Sequence, residues 1–363
     1  MKVLVLGVSI LLSIALLELA VRYLSAAGAI DIHIPENSAG RTFWNGDHPV
    51  VGVWHWPNAS YEHQMACFRV TYESNSAGAR DRERALRASQ SRIIVLGDSL
   101  IEGWGLPSHD RVTDLLEGST GIEHLNFGMS HFGPYQEYLL YRSLAKQYDH
   151  DAVMLGVFPL NDFADSDLDG SLAIPSYVYR YRPYLVPENE GYRHIDYRES
   201  ALHGFLRRNS TLFHAFPTFR SAIGQLLASE TDREPKPELA PSKYYDYDDE
   251  DSRRLLYILS LLQREVAGKT LIVLLLPEPR DLQRYEQQGP APLSRELESF
   301  AREQGIILID LLPHLHATRQ GSRLFHSCDF HWSAHGSRAV AQHLQARLAG
   351  TLYPPAAVPS QEP

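Results

Sequence analysis

Apolar and polar positions divide this chain into blocks of different rhythm. Residues 3–21 are almost continuously apolar, interrupted by Ser9, Ser13 and Glu18, which is close to the ~20 residues a helix needs to cross a bilayer. Residues 30–84 show little helical period and many aromatics and turn formers, with Phe68 to Tyr72 alternating into Asn75-Ser76-Ala77-Gly78, a pattern of short strands. The run Ile93-Ile94-Val95-Leu96 then predicts a strand buried on both faces, ended by Gly97. Further strands are expected at 124–128, 151–157, 270–276 and 306–311, with helices at 134–148, 252–266, 293–303 and 333–348 between or after them. Strand and helix alternating at this spacing predict an α/β protein with a doubly wound parallel sheet.

The rhythm breaks at about 163–247, a segment rich in tyrosine (Tyr177, Tyr179, Tyr181, Tyr184, Tyr192, Tyr197) that includes an apolar piece at 212–227. It reads as an insertion over the C-terminal edge of the sheet. The acidic run 246–251 suits a solvated loop and the first turn of the helix after it. The expected organisation is therefore a membrane anchor or signal over 1–28, a lead-in over 29–90, a main domain over 91–350 carrying the insertion, and a frayed tail over 351–363. Aromatics of the lead-in and insertion suit either sugar stacking or burial, with burial the commoner use.

Composition narrows the partners. At 363 residues, 44% hydrophobic and 21% charged, the chain is globular, and its net charge of -10 argues against a phosphate-rich partner such as nucleic acid. The apolar run at 3–21 exceeds the roughly 7–15 residues of a signal core, which favours an anchor over a cleaved signal. No polybasic stretch follows Arg22, so the bulk of the chain is placed outside the cytoplasm. Only two cysteines occur, Cys67 and Cys328; they make no metal motif, and in an exported chain they suit one disulfide.

Candidate chemistry gathers at two places. Gly97-Asp98-Ser99 presents a small nucleophile at the C-terminal edge of a parallel sheet, where open α/β folds keep their sites. Near the end stands Ser327-Cys328-Asp329-Phe330-His331-Trp332-Ser333-Ala334-His335-Gly336. A serine nucleophile needs a base within hydrogen-bond reach and an acid to orient that base. Asp329 and His331, two apart, face one side of an extended loop. His335 has no acid at the matching offset and reads as structural, and His326 has no assigned role.

These residues resemble the SGNH (GDSL-type) hydrolase family, whose fold is a flavodoxin-like three-layer sandwich. The resemblance implies Ser99 as nucleophile and oxyanion donor, Gly128 of Asn126-Phe127-Gly128 as a second donor, Asn161 as a third, and Asp329 and His331 as acid and base. Pro159 stands where the family's third block usually has glycine, and Asp329 lies two rather than three before His331. The Asp-x-His-Trp form is similar to membrane-linked SGNH-like proteins that acetylate exopolysaccharides. The implied activity is serine-dependent hydrolysis or transfer of O-acyl, chiefly O-acetyl, groups on an extracytoplasmic glycan, with no metal or organic cofactor. The alternative is a non-catalytic glycan-binding or scaffold protein of a polysaccharide export system. The motifs do not separate water from sugar as acceptor, and they leave the oligomeric state open.

Overall fold

The computed structural model describes residues 2–30, 43–173, 180–189, 191–216, 219, 239–266, 268–319 and 323–353. Tyr177, Tyr179, most of the apolar piece at 212–227 and the tail from 354 on lie outside them. Helix α1 (Lys2–Ala26) is 25 residues long and contains an 18-residue apolar window of mean hydropathy 2.6, of which the rest of the protein buries nothing; Val21 of the helix is buried. It is long and apolar enough to cross a membrane.

The lead-in forms two antiparallel hairpins, β1 (Trp44–His48) with β2 (Gly52–His55) and β3 (Ser60–Met65) with β4 (Phe68–Glu73). Phe43, Trp44, Trp54 and Tyr72 are all buried, so most of these aromatics are core rather than a sugar platform. The main domain then runs β5 (Arg92–Gly97), α2 (Ser99–Glu102), α3 (Val112–Thr120), β6 (Glu123–Gly128), α4 (Pro134–Ser143), β7 (Ala152–Val157), α5 (Pro159–Ser166) and α6 (Leu168–Ala173). An excursion follows: the hairpin β8 (Pro183–Glu188) with β9 (Gly191–Asp196), then α7 (Ala201–Asn209). The alternation resumes with α8 (Asp249–Glu265), β10 (Thr270–Leu275), α9 (Pro279–Gln288), α10 (Pro292–Gln304), β11 (Ile307–Asp310), α11 (Leu312–Thr318) and α12 (Ala334–Leu348). Asp248 caps α8 by accepting from the Glu250 and Asp251 N–H groups, which gives the acidic run its place.

Five strands form one parallel sheet in the order β11-β10-β7-β5-β6. Every residue of β5, β6 and β7 is buried; β5 after Arg92 and β7 are the continuous apolar runs expected where helices cover both faces, whereas β6 buries Glu123, His124 and Asn126 with polar partners. Helix α3 packs on α12, and α4 packs on α8. Numbered among themselves the sheet strands run 2-1-3-4-5, so the chain reverses direction across the sheet between β5 and β7. Ligands of such folds enter at that reversal, outside the carboxyl ends of the strands.

Candidate active site

Ser99 sits where β5 ends. A Cβ at Gly97 would collide with the Ile101 side chain, so only glycine lets the strand turn this tightly into α2. Asp98 caps the new helix, its Oδ1 accepting the Leu100 N–H at 2.9 Å. That leaves Ser99 as the first helical residue, with an N–H that no helical carbonyl can take.

The nucleophile turn is held from below by the lead-in. The buried Arg80 guanidinium lies 3.5 Å over the Tyr72 ring and donates to the Glu102, Gly103 and Leu106 carbonyls at 2.7, 2.8 and 2.6 Å. The Tyr72 hydroxyl accepts the Gly105 N–H at 2.7 Å. Glu102, fully buried, meets His55 Nε2 at 3.2 Å and accepts the Ser130 N–H at 2.7 Å. Burial disfavours its charge, but His55, Arg80 and Ser130 together hold its pKa at about 2.

The acid and base arrive on the loop before α12. His326 and His331 pair by backbone, Phe325 bridges Trp332, and the Ser333 hydroxyl caps α12 by accepting the Gly336 N–H at 3.2 Å. Trp332 is buried and pins this loop to the core. Cys328 is bonded to Cys67, between β3 and β4, with Cα atoms 5.7 Å apart, so the lead-in is tied to the acid–base loop as well as to the nucleophile turn. His326 packs beside Phe68, and His335 is exposed on α12.

His331 Nε2 lies 2.7 Å from Ser99 Oγ across 232 positions of sequence. Asp329 Oδ2 lies 2.9 Å from His331 Nδ1, a close ion-pair contact in which the ring N–H is not aimed along the line of centres. Burial opposes ionisation of Asp329, yet the contact with His331 and its positive charge outweigh it and hold the carboxyl below its usual value. The imidazole is sandwiched, with Trp104 at 5.2 Å and 24° on one face and Phe330 at 4.5 Å and 25° on the other. Neither aromatic was assigned a role from the sequence. Trp104 belongs to the same run as Ser99, and a tryptophan two residues past the nucleophile helix was the available signal.

The expected oxyanion donors are placed unequally. Asn161 stands in the first turn of α5, after β7, with Pro159 preorganising the helix start where a glycine was expected. Its Nδ2 donates to Asp165 Oδ2 at 2.8 Å, and its amide also hydrogen-bonds Asp98, so the two acids fix its orientation. Gly128 departs from expectation: its N–H is committed to Asn126 Oδ1 at 2.9 Å and so is not offered to a substrate oxygen. Glycine is demanded there by packing instead, since a Cβ would collide with the backbone nitrogen of Glu102.

On the other side of Ser99 lies a group of buried acids, Asp98, Glu137 and Asp162, that sequence reading missed because each looks like an ordinary helix or turn acid. Both Glu137 carboxylate oxygens and one oxygen each of Asp98 and Asp162 have no hydrogen-bond partner. Burial, reinforced by repulsion between neighbouring carboxylates, raises the pKa of all three, that of Asp98 to about 7 and those of Glu137 and Asp162 well above the ordinary carboxylate value. Beside them Asp165 pairs with Arg182 at 2.7 Å. His131, with a left-handed φ of 66°, has its pKa lowered to about 4 by desolvation and is neutral at pH 7. Among the described residues no group of three or more His, Cys, Asp or Glu side chains is arranged to hold a metal ion.

Residues 244–362 match the family model described as the SGNH hydrolase-like domain of the acetyltransferase AlgX. Over these residues the chain is similar to an SGNH hydrolase-like domain. Its matched part spans α8 to the acid–base loop and α12, and contains Asp329 and His331, whereas Ser99 and Asn161 precede it. Solved structures similar to the chain include a G-D-S-L lipolytic protein of Veillonella parvula (14% identity, 72% of this chain and 100% of that one, TM-score 0.40). Others are a lipase/acylhydrolase of Enterococcus faecalis (12%, 73% and 98%, 0.40) and a catalytic mutant of an acetylxylan esterase of Geobacillus stearothermophilus (11%, 74% and 99%, 0.39). No curated protein sequence matches the chain.

Proposed function

We propose that this protein moves O-acetyl groups on an extracytoplasmic polysaccharide through an acyl-enzyme formed on Ser99. The observation that carries this reading is the continuous contact from Ser99 Oγ to His331 Nε2 and from His331 Nδ1 to Asp329. His331 takes the hydroxyl proton as Ser99 attacks the ester carbonyl. The tetrahedral oxyanion is received by the Ser99 N–H and the Asn161 amide, each such donor contributing roughly 3 kcal/mol. His331 then protonates the departing alcohol, and a second hydroxyl, of sugar or of water, is activated in turn to discharge the acyl group. Asp329, held ionised, stabilises the imidazolium formed at each proton transfer.

A glycan substrate is supported by the match to an acetyltransferase domain model and by Phe330, an aromatic beside the base that stays 38% exposed and offers a face to a sugar ring. Helix α1 serves as the membrane anchor. The Cys67–Cys328 bond supports an oxidising compartment for the catalytic domain.

The test is acetyl release and transfer by full-length protein in detergent, with p-nitrophenyl acetate as donor and an acidic oligosaccharide as acceptor, beside Ser99→Ala. Turnover that disappears in Ser99→Ala is the expected result, and an acceptor mass gain of one acetyl group marks transfer. Equal background in both proteins, each folded, refutes the proposal.

A further inference from the structure

Glu18 is the one acid within the apolar run of α1, and a carboxylate there is costly unless it is partnered. It is partnered by the insertion. Glu18 accepts from the Ser210 hydroxyl at 2.7 Å, from the Thr211 and Leu212 N–H groups at 2.8 and 3.0 Å, and from Arg22 Nε at 2.6 Å. Arg22 also donates to the Asn209 carbonyl, and Val21 is buried against Ala215, Leu212 and Ile30. The last turns of α1 are therefore latched to the segment that follows α7.

That same segment turns its polar groups inward and its apolar groups outward. Arg207 is buried on Glu199 at 2.8 Å, and His203 Nδ1 meets Glu199 at 2.7 Å. Leu202, Phe205 and Phe216 are 69%, 58% and 67% exposed, and Phe219 is 41% exposed. Outside α1, Leu202, Phe205 and Phe216 are the only large apolar side chains of the described residues that are more than half exposed. All three lie on the segment that receives the end of the apolar helix, and an apolar face continuous with a membrane span is covered by the bilayer at lowest cost.

We propose that α7 with residues 210–216 and Phe219 is a membrane-interface seat, with Leu202, Phe205 and Phe216 immersed at the headgroup–acyl boundary and Glu18 as the latch that fixes the seat to α1. The seat rests on the reading of α1 as a membrane anchor. It would hold the domain at a set distance from the bilayer surface, as suits an enzyme whose polymer substrate emerges there.

The experiment reconstitutes the full chain, labelled with an environment-sensitive fluorophore at Phe205→Cys, into phosphatidylcholine–phosphatidylglycerol vesicles with brominated acyl chains. The same label at Leu86→Cys, 49% exposed on the stretch before β5 and outside the proposed seat, is the reference. The native cysteines are bonded and leave the label unique. Quenching about threefold stronger at position 205 than at 86 is expected for side chains immersed at the interface, and Glu18→Ala should bring it down toward the level at 86. Solvent-like emission at both positions in a chain that sediments with the vesicles overturns the seat while α1 stands as an anchor. Strong quenching that Glu18→Ala leaves unchanged overturns the latch. A chain that does not sediment with vesicles overturns the anchor and the seat together.

Discussion

Glu102 and Glu137 are both completely buried glutamates on helices that follow strands of one sheet, close to either side of Ser99, and their chemistry is opposite. Glu102 is surrounded by His55, the Ser130 N–H and hydroxyl and the nearby Arg80, so it stays ionised with a pKa of about 2. Glu137 has no hydrogen-bond partner at either oxygen and faces the charge of Asp98 and Asp165, so it stays protonated. Burial is the same for both. What differs is whether donors were built around the oxygens, and that decides whether a buried acid acts as a fixed charge or as a neutral polar group. The charged one braces the nucleophile turn. Protonation of Glu137 and Asp162 lessens the negative charge near Ser99 that would oppose an oxyanion forming there.

The largest effect should come from breaking the satisfied side. Glu102→Ala leaves His55, Arg80 and Ser130 unpaired around a cavity and is expected to destabilise the fold by about 3–5 kcal/mol, read by urea denaturation. Removing one orphan acid should do far less at neutral pH. Glu137→Gln is expected to lie within about 1 kcal/mol of wild type near pH 6 and to be the more stable of the two at pH 8.

The pH dependence separates the two sides by sign. Asp98, Glu137 and Asp162 hold protons in the fold that the unfolded chain releases, so stability falls as pH rises above the ordinary carboxylate value. The slope is about 1.4 kcal/mol per pH unit for each group that stays protonated. Glu102 is depressed, so its contribution is full above the ordinary carboxylate value and is lost as pH falls toward 2. Chemical denaturation from pH 4 to 9 should therefore decline on the alkaline side, and Glu137→Gln should flatten that limb alone. An unchanged slope in the variant would place the titrating group elsewhere.

Between the two acid environments, the aromatic sandwich positions the base. Trp104→Leu removes one face of the His331 stack and should lower kcat about tenfold, or ~1.4 kcal/mol, with KM for p-nitrophenyl acetate nearly unchanged. Phe330→Ala, at a ring that is 38% exposed, should change stability by under about 0.5 kcal/mol and raise KM for an oligosaccharide acceptor more than for the small ester.

Continuous aliphatic runs at 93–96, 153–155 and 271–275 made the parallel sheet legible, because a strand covered on both faces has no polar period. Ser99, Asp329 and His331 were singled out from the sequence because each lies at a strand or helix end, and the fold brings the three together. Less was legible where tertiary placement decides. Glu137 and Asp162 look like ordinary helix acids until α4 and α5 pack against the turn at Asp98. Gly128 was read as a donor, although Asn126 two residues earlier is a residue that bonds its own downstream N–H, a local signal that was available. Glu18 looked like an interruption of an apolar run, and only its bonds to residues 210–212 explain it.

In the proposed mechanism Ser99 is made nucleophilic by His331 and Asp329. The most direct test of this is active-site labelling of the full chain with a fluorophosphonate, read by intact mass and peptide mapping. One adduct per folded chain, on the peptide containing Ser99, absent in Ser99→Ala and slowed at least about a hundredfold in His331→Ala, is the predicted result. Labelling that persists undiminished in Ser99→Ala, or maps to another residue, would contradict it.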